Sequence, residues 1–202
     1  MANSIVTHSS RYPKALAAGA LAMKVPGQIR SEEAAFLFAL ARRHGNLVEI
    51  GCLYGRSTVA LLKAAEAYKA HVTSIDPFIP TVNTNELASE KTWTNHIKNV
   101  GLEPQKLLVM KSHEAAKLFN EEIAFIFIDG GHGYKTVKQD IEDWLPKVKV
   151  SGIVAFHDLF LPHASGPTRA ISEWWLNAYD QKNPLWKLIG TVAHTVAFRK
   201  VR

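Results

Sequence analysis

With 202 residues, 47 % of them apolar, the chain is long enough to bury one substantial core, and it reads as a single globular domain. Its 24 Lys and Arg against 18 Asp and Glu give a formal charge of +6, but the cations are spread thinly, so a solvated surface is expected rather than a nucleic-acid patch. Cys52 is the only cysteine, which excludes an internal disulfide and a cysteine zinc site, and the tract Ala15–Val25 is too short and too interrupted by Lys24 to cross a bilayer; a soluble cytoplasmic protein is the expectation.

In chain order, Ser31-Glu32-Glu33 has the chemistry of a helix start, a hydroxyl cap followed by acids. Phe36, Leu37, Leu40 and Ala41 continue it at helical spacing until Gly45. A strand over 47–51, a helix over 56–68 and a strand over 71–75 follow. Polar chain then leads to a helix over 86–100, a third strand over 107–110 and a short helix over 114–119. Residues 123–128, Ile-Ala-Phe-Ile-Phe-Ile, form the fourth strand, apolar on both faces as the interior of a parallel sheet requires. The next helix carries Tyr134, Val137, Ile141, Leu145 and Val148 on one face, and a fifth strand spans 152–156. A helix over 167–179 precedes two apolar runs, 185–192 and 195–201. Only Ala193-His194 separates them, too few residues for a crossover, so they pair antiparallel. The expectation is a doubly wound α/β fold with a mostly parallel, seven-stranded Rossmann-like sheet that ends in an antiparallel hairpin. Residues 31–202 form the main domain, and residues 1–30 are a separate segment for substrate contact or oligomerisation, which leaves a homodimer open.

The most informative stretch is Val48-Glu49-Ile50-Gly51-Cys52-Leu53-Tyr54-Gly55-Arg56-Ser57-Thr58. Strand, tight turn and helix in that order bring bare backbone and a helix N-terminus to a nucleotide-like ligand. Asp76 closes the next strand, where a carboxylate takes ribose hydroxyls. An adenosine-bearing cofactor is expected. A dinucleotide is disfavoured, because Leu53 and Arg56 stand where G-x-G-x-x-G needs glycine, and no Gly-Lys-Ser/Thr follows for a phosphate loop.

The remaining pattern, acid-x-Gly-x-x-x-Gly, resembles the first motif of class I S-adenosylmethionine-dependent methyltransferases. The resemblance implies that Glu49 faces the methionine end and that Gly51 and Gly55 give the cofactor room. Five strand ends carry polar groups (Glu49, Asp76, Ser112-His113, Asp129 with His132, and His157-Asp158), more than a purely structural sheet needs. Ser57, Ser112, His113 and Asp129 complete the expected cofactor contacts.

Ile128-Asp129-Gly130-Gly131-His132-Gly133-Tyr134, followed by Ser151-Gly152 and Phe156-His157-Asp158, is similar to the family that groups macrolide-sugar O-methyltransferases with cephalosporin hydroxylase-like proteins. The likeness covers residues 45–200 and implies methylation of a small-molecule hydroxyl. By position, Asp129 and Asp158 match two metal-binding carboxylates of catechol-type relatives. Leu159, however, has no donor atom where a third ligand often stands, and Gly131 replaces an acid. Mg²⁺ held by two carboxylates and waters therefore stays open beside a purely hydrogen-bonding role for Asp129. His132, three residues past Asp129, stands where those relatives place a base, and His157 is its rival. His8, His44, His71, His96, His163 and His194 read as surface or loop residues. A nucleic-acid methyltransferase is the alternative prompted by the basic pI, near 9.4, although no Asn/Asp-Pro-Pro-Tyr-type motif is present. A non-catalytic S-adenosylmethionine-binding domain is the other.

Overall fold

The structure, a computed structural model, describes residues 11–79, 88–161, 164–178 and 184–202. Five parallel strands, β1 (Asn46–Ile50), β2 (His71–Ile75), β3 (Lys106–Leu108), β4 (Ile123–Ile128) and β5 (Val148–Phe156), carry an antiparallel hairpin of β6 (Trp186–Val192) and β7 (Thr195–Lys200). The order is β3-β2-β1-β4-β5-β7-β6, so the sense in which successive strands are added switches between the parallel neighbours β1 and β4. Among the described residues, seven α-helices flank the sheet: α1 (Arg11–Ala22), α2 (Ser31–Ala41), α3 (Arg56–Tyr68), α4 (Glu90–Asn99), α5 (Ser112–Leu118), α6 (Tyr134–Trp144) and α7 (Ser165–Ala178).

Alternation along β4 makes both layers of the core. Phe125 and Phe127 join the apolar faces of α1 to α4, and Ile126 and Ile128 join those of α5 to α7. Every residue of β4 is buried, which is why the segment shows no polar face in sequence. None of the helices is long and apolar enough to cross a membrane among the described residues.

The register sets the site. Ile50 pairs with both Ile75 and Ile128, and Ile128 pairs with Phe156, so four strands end level. The residue after each end adds one ladder bond: Gly51 N–H to Ile75 O, Asp76 N–H to Leu108 O, Asp129 N–H to Ile50 O and His157 N–H to Ile128 O. Gly51, Asp76, Asp129 and His157 are thereby held side by side as part of the sheet.

Several expectations need correction. The helix α6 stops at Trp144 and tightens into one 3₁₀ turn over Leu145–Lys147. Pro146 has no N–H to continue the helix, so Val148 begins β5 instead of extending the helical face. The early part of β5 bulges. The pairing steps from Ile123–Val148 to Phe125–Ile153, with Ser151 at φ +66° absorbing the extra residues. The third strand is Lys106–Leu108, shorter than the four residues read from 107–110. The cap of α2 is Arg30, not Ser31, and its N–H donates to Glu33 Oε2 at 2.9 Å. Glu86 and Leu87, expected to begin the helix over 86–100, lie outside the described residues, as does Tyr179, expected to end the helix over 167–179. Among the histidines read as loop or surface, His8 and His163 lie outside the described residues as well.

The Ala-rich tract, for which the sequence predicts no helix, contributes to α1. Small residues let it approach α2 closely: a Cβ on Gly19 would lie 2.5 Å from Ser31 O. Ala18, Ala22, Val25 and Ile29 are buried in the same cluster as α2 and α3. Arg56 ties this segment to the turn after β1, donating from Nε to Val25 O at 2.8 Å and from Nη1 to Ile29 O at 2.9 Å.

Candidate active site

A cavity of about 800 Å³ opens at the carboxyl ends of β1, β2 and β4, within the range of roughly 300–1,000 Å³ usual for small-molecule sites. Its wall includes the turn Gly51–Tyr54 with Arg56 and Ser57, then Asp76, Ser112 and His113 at the start of α5, and Asp129 to His132. The connection Pro26–Ile29 and Asp140 of α6 also line it.

Asp76 organises the turn. Its Oδ2 accepts the N–H groups of Cys52 and Leu53 at 3.0 and 2.9 Å, and Oδ1 accepts that of Phe78 at 2.7 Å. Leu53 is thereby held at φ +44°, a strained position for a branched side chain. A carboxylate offers about four lone-pair sites, so Oδ1 keeps capacity toward the cavity.

The two glycines of the turn serve the protein more than the ligand. Gly51 has φ +82°, and a Cβ there would lie 2.0 Å from Asp129 O. The glycine lets the ends of β1 and β4 close on one another. Gly51→Val is accordingly expected to unfold the protein or lower its melting temperature sharply, and not merely to block a ligand. A variant with wild-type thermal stability would refute that role. Gly55, at φ +97°, does not line the cavity: a Cβ there would press on Ile97 and Trp93 of α4 at 3.0 and 3.1 Å.

Glu49 is also displaced from its expected place. It is fully buried beneath the turn, and its Oε2 accepts hydroxyl hydrogens from Thr58 and Ser74, each at 2.7 Å. Thr58 in turn accepts Trp93 Nε1–H at 3.1 Å. Glu49 Oε1 has no hydrogen-bond partner among the described residues. Burial, helped by the charge of Asp129, pushes the Glu49 carboxyl up to about 7 despite the Ser57, Thr58 and Ser74 hydroxyls.

The second half of the site holds a cluster of acids and imidazoles. His132 is exposed to the cavity, with Nε2 2.8 Å from Asp158 Oδ2. His157 is buried and does not line the cavity. Its Nδ1 lies 3.1 Å from Asp129 Oδ1 and 3.0 Å from Asp158 Oδ1, and its Nε2 faces Glu33 Oε1 at 3.3 Å. Asp158 adopts φ +62° to direct its carboxylate between the two rings. The hydrogen bond to Asp158 raises the His132 pKa against its partial burial. Burial opposes protonation of His157, but the Asp129 charge and three carboxylate contacts outweigh it and push the ring up to about 12. Burial would raise Asp158 too, yet the two imidazoles hold it well below the ordinary aspartate range.

Asp129, His132 and Asp158 each bring one donor atom to within 4.8 Å of the others, the spacing a metal would need. The donor set nevertheless does not fit Mg²⁺, which prefers an octahedron of oxygens. Both oxygens of Asp158 and one of Asp129 already face imidazole nitrogens, and Leu159 spends its N–H on His194 O.

Two buried acids at the site, Glu33 and Asp140, are not among the residues expected from the sequence. Glu33 has the sequence context of an ordinary first-turn acid, but it shares a helical face with Leu37 and Ala41, both buried. Asp140 lies between Val137, Ile141 and Trp144 on the buried face of α6, where burial pushes its carboxyl up to about 6 and Ser112 pulls it back. An acid in register with an apolar stripe was the available signal in both. His194 lies in the loop between β6 and β7, as expected, whereas His96 lies on α4 and is only partly exposed. His194 bonds Leu159 O through Nδ1 at 3.0 Å, and His96 bonds Tyr54 O at 3.1 Å.

Comparison with known proteins identifies the family and the fold. Residues 48–159 match the family model described as a methyltransferase domain. The O-methyltransferase NovP superposes with a TM-score of 0.67 at 18 % identity, over 86 % of this chain and 81 % of that one. An O-methyltransferase from Bacillus cereus, solved in complex with S-adenosylhomocysteine, gives 0.60 at 18 % identity over 97 % and 93 %. An rRNA methylase from Streptococcus thermophilus gives 0.59 at 16 % over 87 % and 100 %.

Proposed function

Because the chain belongs to this methyltransferase family, we propose that it moves the methyl group of S-adenosylmethionine onto a hydroxyl of a small molecule. The observation that carries the reading is His132, which lines the same cavity as the Asp76-braced turn and is backed by the buried Asp158. A proton acceptor and a nucleoside-binding turn are the two parts that such a transfer requires.

S-Adenosylmethionine supplies an activated methyl group, and the protein's tasks are to align donor and acceptor and to take the hydroxyl proton. In this reading Asp76 takes the ribose hydroxyls. The backbone at Gly51, the hydroxyls of Ser57 and Ser112, and His113 and Asp129 line the remainder of the cofactor's path. Glu49 acts from beneath, through the turn, and Gly55 acts by seating α4. With Nε2–H committed to Asp158, His132 presents Nδ1 as the base. His157 is unsuited to that role, since both its nitrogens face carboxylates. No step requires a divalent metal.

The likeness to an rRNA methylase means that the fold alone does not choose the acceptor. What favours a small molecule is the resemblance in the strand-four and strand-five segments, together with the absence of a dense basic run in the sequence. Incubation with methyl-labelled S-adenosylmethionine, a panel of hydroxylated metabolites and total RNA separates these readings. Label is expected in the small-molecule fraction; label in RNA alone would overturn the acceptor class.

A further inference from the structure

The proposed base sits in a stretch of chain that cannot fix itself. His132 is flanked by Gly130, Gly131 and Gly133, the residue type with the widest backbone freedom, and its side chain is about half exposed. Its partner Asp158 stands on a different loop, after β5, where Asp158 and Phe160 both take φ +62°. Residues other than glycine hold such angles only where surrounding contacts over-determine them. The 2.8 Å contact between His132 Nε2 and Asp158 Oδ2 therefore needs something outside the two loops to keep them in register.

The first turn of α7 touches both loops. A Cβ on Gly166 would run into His132 O and would lie 2.6 Å from Tyr134 N and 3.0 Å from Gly133 C, so the helix rests directly on the backbone of the base. Two residues on, Thr168 Oγ1 accepts the Phe160 N–H at 2.8 Å, which ties the loop of Asp158 to the same turn. Further along the helix, Glu173 Oε2 accepts the Tyr134 hydroxyl at 2.6 Å and Oε1 accepts Arg169 Nε–H at 2.9 Å. The Arg169 guanidinium lies 4.4 Å from the centre of the Tyr134 ring. Exposed contacts of this kind add little stability one by one, but this closed set of three fixes the orientation of α6 and α7 beside the base. Gly166 has no positive φ, and alanine suits a helix better than glycine. The helix itself gives no reason for glycine here; the close approach to His132 does.

Building on the methyl-transfer reading of this site, we propose that the first turn of α7 is the positioning element of the base: Gly166 seats the His132 loop, Thr168 seats the Asp158 loop, and together they set the His132–Asp158 pair. None of Gly166, Thr168 and Glu173 lines the cavity, so each is a positioning residue that acts through the pair.

Crystal structures of the full chain, wild type and Gly166→Ala, read this geometry without any acceptor. The added methyl group should push the His132 loop off α7 and part His132 Nε2 from Asp158 Oδ2 beyond hydrogen-bond distance, with the Asp76-braced turn unmoved. An intact pair in Gly166→Ala would overturn the proposal. Glu173→Ala is the second variant and decides if the first fails to fold, because Glu173 is half exposed and alanine suits the helix. Amide hydrogen exchange followed by mass spectrometry should quicken severalfold over residues 129–134 in Glu173→Ala and stay unchanged over residues 51–57. Wild-type exchange at 129–134 in that variant would count against the brace. Methyl transfer to a hydroxylated metabolite supplies the kinetic readout. Gly166→Ala should lower kcat about 10²-fold, the scale of an ångström-sized misplacement, leave S-adenosylhomocysteine affinity unchanged, and have no further effect in a His132→Ala background. An equal loss in that background would reveal general damage and overturn positioning through His132. Failure of wild type to bind S-adenosylhomocysteine would sink the methyl-transfer reading instead, while the crystal structures and the exchange would still report on the brace.

Discussion

Replacing His132 by alanine is expected to lower kcat by about 10²- to 10⁴-fold, the usual cost of losing a general base, with affinity for S-adenosylhomocysteine essentially unchanged. The base must be neutral to accept a proton, and the hydrogen bond to Asp158 raises its pKa above the ordinary histidine value of about 6.5. The wild-type rate should therefore climb with pH, and its midpoint should lie above that value. Asp158→Asn removes the charge that stabilises the protonated ring, so its rate profile should shift to lower pH and its kcat should fall. Steady-state kinetics between pH 5.5 and 9 measure all of this. A flat wild-type profile, or normal turnover by His132→Ala, would show that the acceptor ionises without help from this ring.

The second large effect is expected at Asp76. Its carboxylate accepts the Cys52, Leu53 and Phe78 N–H groups. Asp76→Ala should therefore do more than remove a ribose contact, because it also releases the turn that presents the cofactor site. Hydrogen bonds to charged groups contribute about 1.5–3 kcal/mol each. Losing the ribose contacts and the turn geometry together should weaken cofactor binding by about 3 kcal/mol or more, beyond 100-fold. Asp76→Asn keeps one acceptor oxygen and should fall between alanine and wild type. Circular dichroism would confirm that both variants remain folded. Wild-type affinity in Asp76→Ala would remove this acid from the cofactor site.

The sequence was most legible where burial is two-sided and local. Ile123–Ile128 has no polar face because helices cover both sides of β4, so its limits could be read directly. Asp76, Asp129 and His157 could be placed at one edge because each ends an apolar run, and parallel strands that end level bring such residues together. What escaped notice depends on partners distant in sequence. Gly51 and Gly55 share one turn, yet one accommodates Asp129 and the other accommodates α4, and no spacing rule distinguishes them. The small residues of α1 carry little helical periodicity, and their use became apparent only against Ser31 and Ala35 of α2. Glu33 has the local chemistry of a helix start, but its bonds reach His194 and Thr195 some 160 positions along the chain. The bulge in β5 arises because the segment after Pro146 must rejoin β4 before it realigns at Ile153, a long-range constraint that Ser151-Gly152 only hints at.

Calorimetric titration of S-adenosylhomocysteine into the wild-type protein is the most direct measurement of whether the cavity at the ends of β1, β2 and β4 is a methyl-donor site. Saturable binding of one ligand per chain, weakened in Asp76→Ala, is the expected result. Absence of heat and of any thermal stabilisation at ligand concentrations up to about 1 mM, weaker than about −4 kcal/mol, would contradict it.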